Sequence, residues 1–128
     1  NSFPAKTTQE LIATLKADPK KYDYASPGVG TVQHLAFEQF KRVAGVDAQH
    51  VPYKGGTAFS PDLIAGRVHI AIMSSSVAVG LARANSARVI AVTSLDRSTN
   101  LPDVPAIADV IPGFDMSARI FLAAPAGT

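Results

Sequence analysis

The chain has no cysteine and no tryptophan. Without cysteine there is no disulfide, no thiol nucleophile and no thiolate-bound zinc. That is compatible with an oxidising compartment but does not demonstrate one. Aromatic residues make up 7 % of the sequence, too few for the stacking platforms of a carbohydrate groove. The formal net charge is +2, and the basic residues are scattered. Nothing forms the basic stripe with interleaved aromatics that would make nucleic acid a partner. No apolar run approaches the roughly 18 residues of a membrane-spanning helix. No signal-peptide pattern opens the chain, which starts on polar Asn1-Ser2 and runs into a helical pattern; for a mature protein or a piece of one, this says nothing of location. Repeats and low-complexity stretches are absent too.

Hydrophobic residues, by contrast, make up 47 % of 128 residues, enough for the core of one compact domain and too many for a disordered chain. A helix is expected over residues 6–17, opened by the Thr7-x-x-Glu10 capping box, striped by Leu11, Ile12 and Leu15, and closed at Pro19. Residues 22–25 read as a short strand. Residues 32–44 have apolar positions at helical spacing, with Gly45 where a C-terminal glycine belongs. Strands follow at 48–52 and 68–73, separated by a helix over 57–65 that stops at Gly66. Ser74, Ser75 and Ser76 cap a helix running to about Asn85, and 88–93 is the most strand-like run in the chain. Residues 96–105 are polar and proline-bearing, hence a surface loop. A short helix at 106–111, a Pro112-Gly113 turn and a last strand at 119–124 complete the pattern. Strands alternating with helices predict an α/β fold with a mainly parallel, five-stranded sheet flanked by helices.

The most telling stretch is Ser26-Pro27-Gly28-Val29-Gly30-Thr31, between the first strand and the second helix. A turn there aims backbone N–H groups, a helix N-terminus and a hydroxyl at one spot, which suits a small anion. Helix capping by Thr31 or Gly30 explains the same residues equally well. Tyr53-Lys54-Gly55-Gly56 and Ser74-Ser75-Ser76 end two further strands in the same manner. In a parallel sheet all three open on one edge, where ligands of such sheets bind. Lys54 offers a cation there, although an exposed lysine is as readily solvated.

Reaction machinery is not evident. There is no G-x-S-x-G elbow for a serine nucleophile, no Walker loop and no G-x-G-x-x-G. His34 and Glu38 share a helix face, but without HExxH or a third ligand nearby no metal site is expected. His50 and His69 lie on strands beside apolar neighbours and are expected to be satisfied within the fold. The acidic residues form no acid–base pair, and no cofactor is implied. The expectation is a binding protein, not an enzyme.

Four segments together carry a family resemblance: Glu10-Leu11-Ile12 through Ser26–Thr31 with His34-Leu35; His50-Val51-Pro52-Tyr53-Lys54-Gly55-Gly56; Ala91–Ser94 to Arg97 with Leu101-Pro102-Asp103-Val104-Pro105; and Ala124–Thr128. The chain resembles the solute receptors of tripartite tricarboxylate transporters, the TctC-like or Bug proteins of Gram-negative bacteria. The resemblance implies a periplasmic binding protein whose two α/β lobes close on a small carboxylate and deliver it to membrane transporter subunits. It further implies that residues 1–128 are the second lobe, cut at both crossovers from an N-terminal lobe. By the same resemblance Ser26, Gly28, Val29, Gly30 and Thr31 hold a ligand carboxylate, Tyr53, Lys54 and Gly55 shape the next loop of the cleft, and Ser74 lines it. Family members often carry an acidic or amide residue near the end of the strand at 70–73. Met73 and Ser74 stand there instead, which favours a plain mono- or dicarboxylate over an amino acid. A ligand-sensing domain of a regulator or two-component sensor is the alternative, since similar bilobal folds serve in both settings.

Overall fold

The computed structural model describes residues 3–118 and 122–127. Its first helix, α1 (Thr8–Ala17), starts where Thr7 Oγ1 accepts the Glu10 N–H at 3.2 Å. Glu10 reaches back to the Lys6 N–H at 2.7 Å, one residue beyond the usual box. Leu11 and Leu15 turn inward and are buried. Strand β1 (Asp23–Ser26) follows, then α2 (Val32–Ala44), β2 (Gln49–Pro52), α3 (Ser60–Ile64), β3 (Ile70–Ala71), α4 (Ser75–Arg83) and a single 3-10 turn at Ile107–Asp109.

The strands run in the order β2-β1-β3, and both pairings are parallel. Central β1 is covered on both faces, as a parallel strand requires. Tyr24 packs on one face with Leu11, Leu15, Phe37, Phe40 and Phe114. Ala25, pointing the opposite way, packs with Phe59 and Val68. Tyr24 and Phe59 are fully buried.

The α/β class and the parallel sheet stand, but the sheet has three strands among the described residues instead of five. Residues 88–93 enter no ladder; Val92 makes one isolated parallel bridge to Ala106. A groove of about 880 Å³ separates them from β3, so their backbone has no strand to pair with on that side. The strand expected at 119–124 falls partly on Arg119, Ile120 and Phe121, outside the described residues, and 122–124 form no strand. β3 is shorter than expected: only Ile70 and Ala71 enter the ladder, and the His69 N–H just before them is taken by the Asp23 carboxylate. Helix α3 begins three residues late. Pro61 has no N–H to give, so it fits the first turn and not the interior of a helix begun at Thr57.

The groove runs the whole length of the free β3 edge. At the N-terminal edge of the sheet it is walled by Phe3, Leu11 and His69, and along its middle by Ile70, Ile72, Phe37 and Ala91. At the C-terminal edge Val32, Gln33 and Ser74–Ser76 close around it.

Candidate functional site

The parallel arrangement brings the ends of β1, β2 and β3 to one edge. There the Ser26–Thr31 turn is built almost wholly from its own polar groups. Ser26 Oγ accepts the Gly28 N–H at 3.2 Å and donates to the Gly28 carbonyl at 3.1 Å. Thr31 Oγ1 donates to the same carbonyl at 2.7 Å and caps α2 by accepting the His34 N–H at 3.3 Å. The Gly30 N–H donates to His34 Nδ1 at 3.0 Å. Gly28 and Gly30 adopt φ of 155° and 80°; the latter is a left-handed conformation that glycine takes at no steric cost.

Three donors are left over. Among the described residues the N–H groups of Val29, Val32 and Gln33 have no hydrogen-bond partner. Those of Val32 and Gln33 lie in the first turn of α2 and point out along its axis, at the positive end of the helix dipole. Val29, at the tip, is 75 % exposed.

The second turn is tied to the first. Tyr53 N–H donates to the Ser26 carbonyl and Gly55 N–H to the Pro27 carbonyl, both at 3.0 Å. Tyr53 directs its hydroxyl to Asp62 Oδ2 at 2.7 Å, away from the turn and against Phe59. That bond to the carboxylate, with some burial, raises the Tyr53 phenol above its ordinary value, and Tyr53 and Arg67 together hold the Asp62 carboxyl low. Lys54 is exposed, with no ion pair among the described residues. Ser74 precedes α4, its hydroxyl 3.2 Å from that of Ser76.

Of the sequence-derived residues, the structure thus collects the Ser26–Thr31 turn, Tyr53–Gly55 and Ser74 on one edge. It also separates their roles. Ser26 is fully buried and its hydroxyl serves the turn. Val29, Gly30 and Lys54 are exposed.

Beneath the turn lies a stack of rings that sequence reasoning missed. Tyr24 stacks on Phe37 at 4.1 Å and on His50 at 4.8 Å. His50 stacks on His34 at 3.9 Å. His50 Nε2 lies 2.6 Å from Ser26 Oγ; this has the atoms of a nucleophile–base pair, but the burial of Ser26 denies a substrate access to it. Strand parity was the available signal. Tyr24 and Ser26 share a face of β1, Tyr24 is in register with His50, and α2 covers that face through Phe37.

An ionic cluster anchors the stack. Tyr24 donates to Glu38 Oε1 at 2.5 Å, and Lys41 bridges Glu38 at 3.1 Å and Asp47 at 3.0 Å. Burial, then Glu38, push the Tyr24 phenol far above its ordinary value. Burial works against ionised Glu38 and Lys41, yet their mutual bonds with Tyr24 and Asp47 prevail and lower the acid and raise the base. Lys41 lowers Asp47 directly. Burial first, then the charges of His34 and Lys41, hold His50 below the usual imidazole range. On the opposite face His69 donates its N–H to Asp23 Oδ1 at 2.9 Å, with Nδ1 at the same distance. Among the described residues no group of three or more His, Cys, Asp or Glu could hold a metal ion. None of the helices described is long and apolar enough to cross a membrane.

An α/β lobe presenting free amides at the carboxyl edge of a parallel sheet has the geometry of an anion-binding lobe. The profile of the tripartite tricarboxylate transporter family receptors, TctC, matches residues 1–128, and the chain belongs to that family. Members of this family are periplasmic solute-binding proteins. The UPF0065 protein of the tcbD–tcbE intergenic region of a Pseudomonas species is 39 % identical over 121 residues, 93 % of this chain and 36 % of that relative. An R. palustris protein solved with adipate superposes with a TM-score of 0.86 at 34 % identity, covering 90 % of this chain and 39 % of that one. MatC of Rhodopseudomonas palustris, solved with bound malate, gives a TM-score of 0.74 at 27 % identity over 89 % of this chain and 39 % of its own. The chain therefore spans well under half the length of each of these three proteins.

Proposed function

We propose that residues 1–128 form the second lobe of a two-lobe periplasmic receptor. It captures a small mono- or dicarboxylate in the cleft between the lobes and delivers it to the membrane subunits of a tripartite tricarboxylate transporter. The observation that carries this reading is the set of unpartnered N–H groups of Val29, Val32 and Gln33 at the carboxyl edge of the sheet. Two similar proteins were solved with dicarboxylates, adipate and malate, which supports that ligand class.

In this reading the free N–H groups of Val29, Val32 and Gln33 receive one carboxylate, Gly28, Gly30 and Thr31 shape the turn that presents them, and the helix dipole favours the anion's charge. Ser26 holds the turn from below. Lys54 attracts the anion, Tyr53 and Gly55 set the shape of the adjoining wall, and the Ser74 hydroxyl lies across the groove mouth. Closure of the lobes replaces the anion's water with these donors.

The two-lobe arrangement also gives the groove an occupant. A length of the same polypeptide outside residues 1–128 lies along β3 in extended form and continues the sheet toward 88–93. Backbone alternation turns the N–H and C=O of Ala71 toward that groove. Such unpaired backbone groups need hydrogen bonds.

Titration calorimetry of residues 1–128 and of the two-lobe protein against adipate, malate and amino acids tests the assignment. The two-lobe protein should bind a carboxylate, and the isolated lobe should bind it far more weakly. Equal affinity of the two would refute the cleft.

A further inference from the structure

Each of the two stacked histidines holds one residue of the glycine turn. Their rings lie 3.9 Å apart and 8° from parallel. His34 Nδ1 accepts the Gly30 N–H, and His50 Nε2 contacts Ser26 Oγ. We propose that His34 and His50 are positioning residues for the turn, which keeps its carboxylate-binding shape only while His34 is neutral, so that affinity falls on acidification. The inference rests on the carboxylate reading above.

Hydrogen counting supports the neutral pair. To accept from Gly30, His34 Nδ1 must carry a lone pair, so the ring hydrogen of neutral His34 is on Nε2. A second proton would set an N–H against the Gly30 N–H and break that tether. Ser26 Oγ has one hydrogen and two lone pairs. Its hydrogen serves the Gly28 carbonyl, and one lone pair takes the Gly28 N–H. The third contact is satisfied together with these only when His50 Nε2 donates. A further proton on His50 then goes to Nδ1 and places a cation inside the stack.

The charged surroundings come from three sides. On α2, Glu38 Oε1 lies 3.9 Å from His34 Nε2, but it is already bonded to Tyr24 and Lys41. At His50 the charges of His34 and Lys41 oppose a cation and that of Glu38 favours one, with burial the largest effect against it. From β1 comes the Tyr24 hydroxyl, which donates to Glu38, and from the loop before β2 comes Asp47, which is spent on Lys41. Glu38 is thus shared among the rings, Tyr24 and Lys41.

Losing the Gly30 tether frees a residue in the left-handed region between the donors of Val29 and Val32. A neutral hydrogen bond lost in this way corresponds to about a five-fold change in affinity. The test uses the two-lobe protein with adipate as the probe. His34→Ala removes the acceptor and should weaken binding about five-fold at pH 8. His34→Asn restores an acceptor in place of Nδ1 without a titrating group, and should recover most of that loss. Between pH 8 and pH 5.5, the ratio of wild-type to His34→Asn affinity cancels adipate's own titration, and it should fall about five-fold. The Gly30 amide resonance should move between pH 8 and pH 5.5 in the wild type and stay fixed in His34→Asn.

A ratio that is flat or rises on acidification overturns the proposal, and so does a Gly30 amide indifferent to His34. If the Gly30 amide responds but adipate and malate bind at no pH, the positioning of the turn is upheld. The carboxylate reading is then what fails.

Discussion

Replacing Tyr24 by Phe isolates one bond at the centre of the molecule. Tyr24 is fully buried, and its ring packing against Phe37 and His50 is retained in the variant. Only the hydroxyl leaves, and with it the 2.5 Å bond to Glu38. A hydrogen bond to a charged group contributes about 1.5–3 kcal/mol. The Glu38 side chain is 41 % exposed and keeps Lys41 at 3.1 Å, so water and the ammonium recover part of the loss. Discounted for that screening, the expected destabilisation is about 1–2 kcal/mol at pH 7. Urea unfolding followed by circular dichroism measures it. The sign of its pH dependence is fixed by Glu38, whose carboxyl is held below its ordinary value of 4.5. A depressed acid contributes stability that is present above that value and lost as pH falls through the folded one. The gap between wild type and variant should therefore narrow from pH 5 downward. A destabilisation under about 0.3 kcal/mol, well below the range for such a bond, would refute the reasoning, and so would a gap that does not change with pH.

Gly45→Ala should cost about 1 kcal/mol in the same assay. The residue has a φ of 65° and a Cβ there meets nothing within 4 Å, so the penalty is backbone strain alone. Phe59→Ala, at the centre of the smaller core cluster, should cost about 3–5 kcal/mol, a large share of the stability of an ordinary domain; a loss below about 1 kcal/mol would show that the cluster collapses around the cavity. His50, held below its ordinary 6.5, contributes stability that is complete above that pH and lost as pH falls through the folded value. Urea midpoints should drop below pH 6.5, and less steeply in His50→Gln; equal slopes would exclude His50 as the source.

Local signals carried the elements they describe. The Thr7 and Thr31 caps, the αL glycine at 45 and the alternation of strands with helices each depend on neighbours a few residues apart, and each is found where the pattern put it. Pairing is another matter. Residues 88–93 have the β-branched content of a strand, but a ladder needs a partner, and that depends on what borders the β3 edge. The glycine turn was legible as a donor-rich bend. The division of labour within it was not, because Ser26 and Thr31 are claimed by Gly28 and His34 through contacts set by the turn's own geometry. The histidine stack needed the register of β1 with β2, which no single segment encodes.

The two loops at the binding edge are bonded to one another by Tyr53 and Gly55 and to the strands beneath by His50. They therefore move as one rigid plate, and the entropy of shaping them is spent when the chain folds. On the proposed carboxylate reading, an anion arriving there meets a ready surface, so little of its affinity is consumed in ordering loops. In the proposed two-lobe receptor, variation in affinity among ligands is then left to the opposing wall and to the ease of closing upon it. Swapping only that wall between relatives should transfer ligand preference while leaving this plate unchanged.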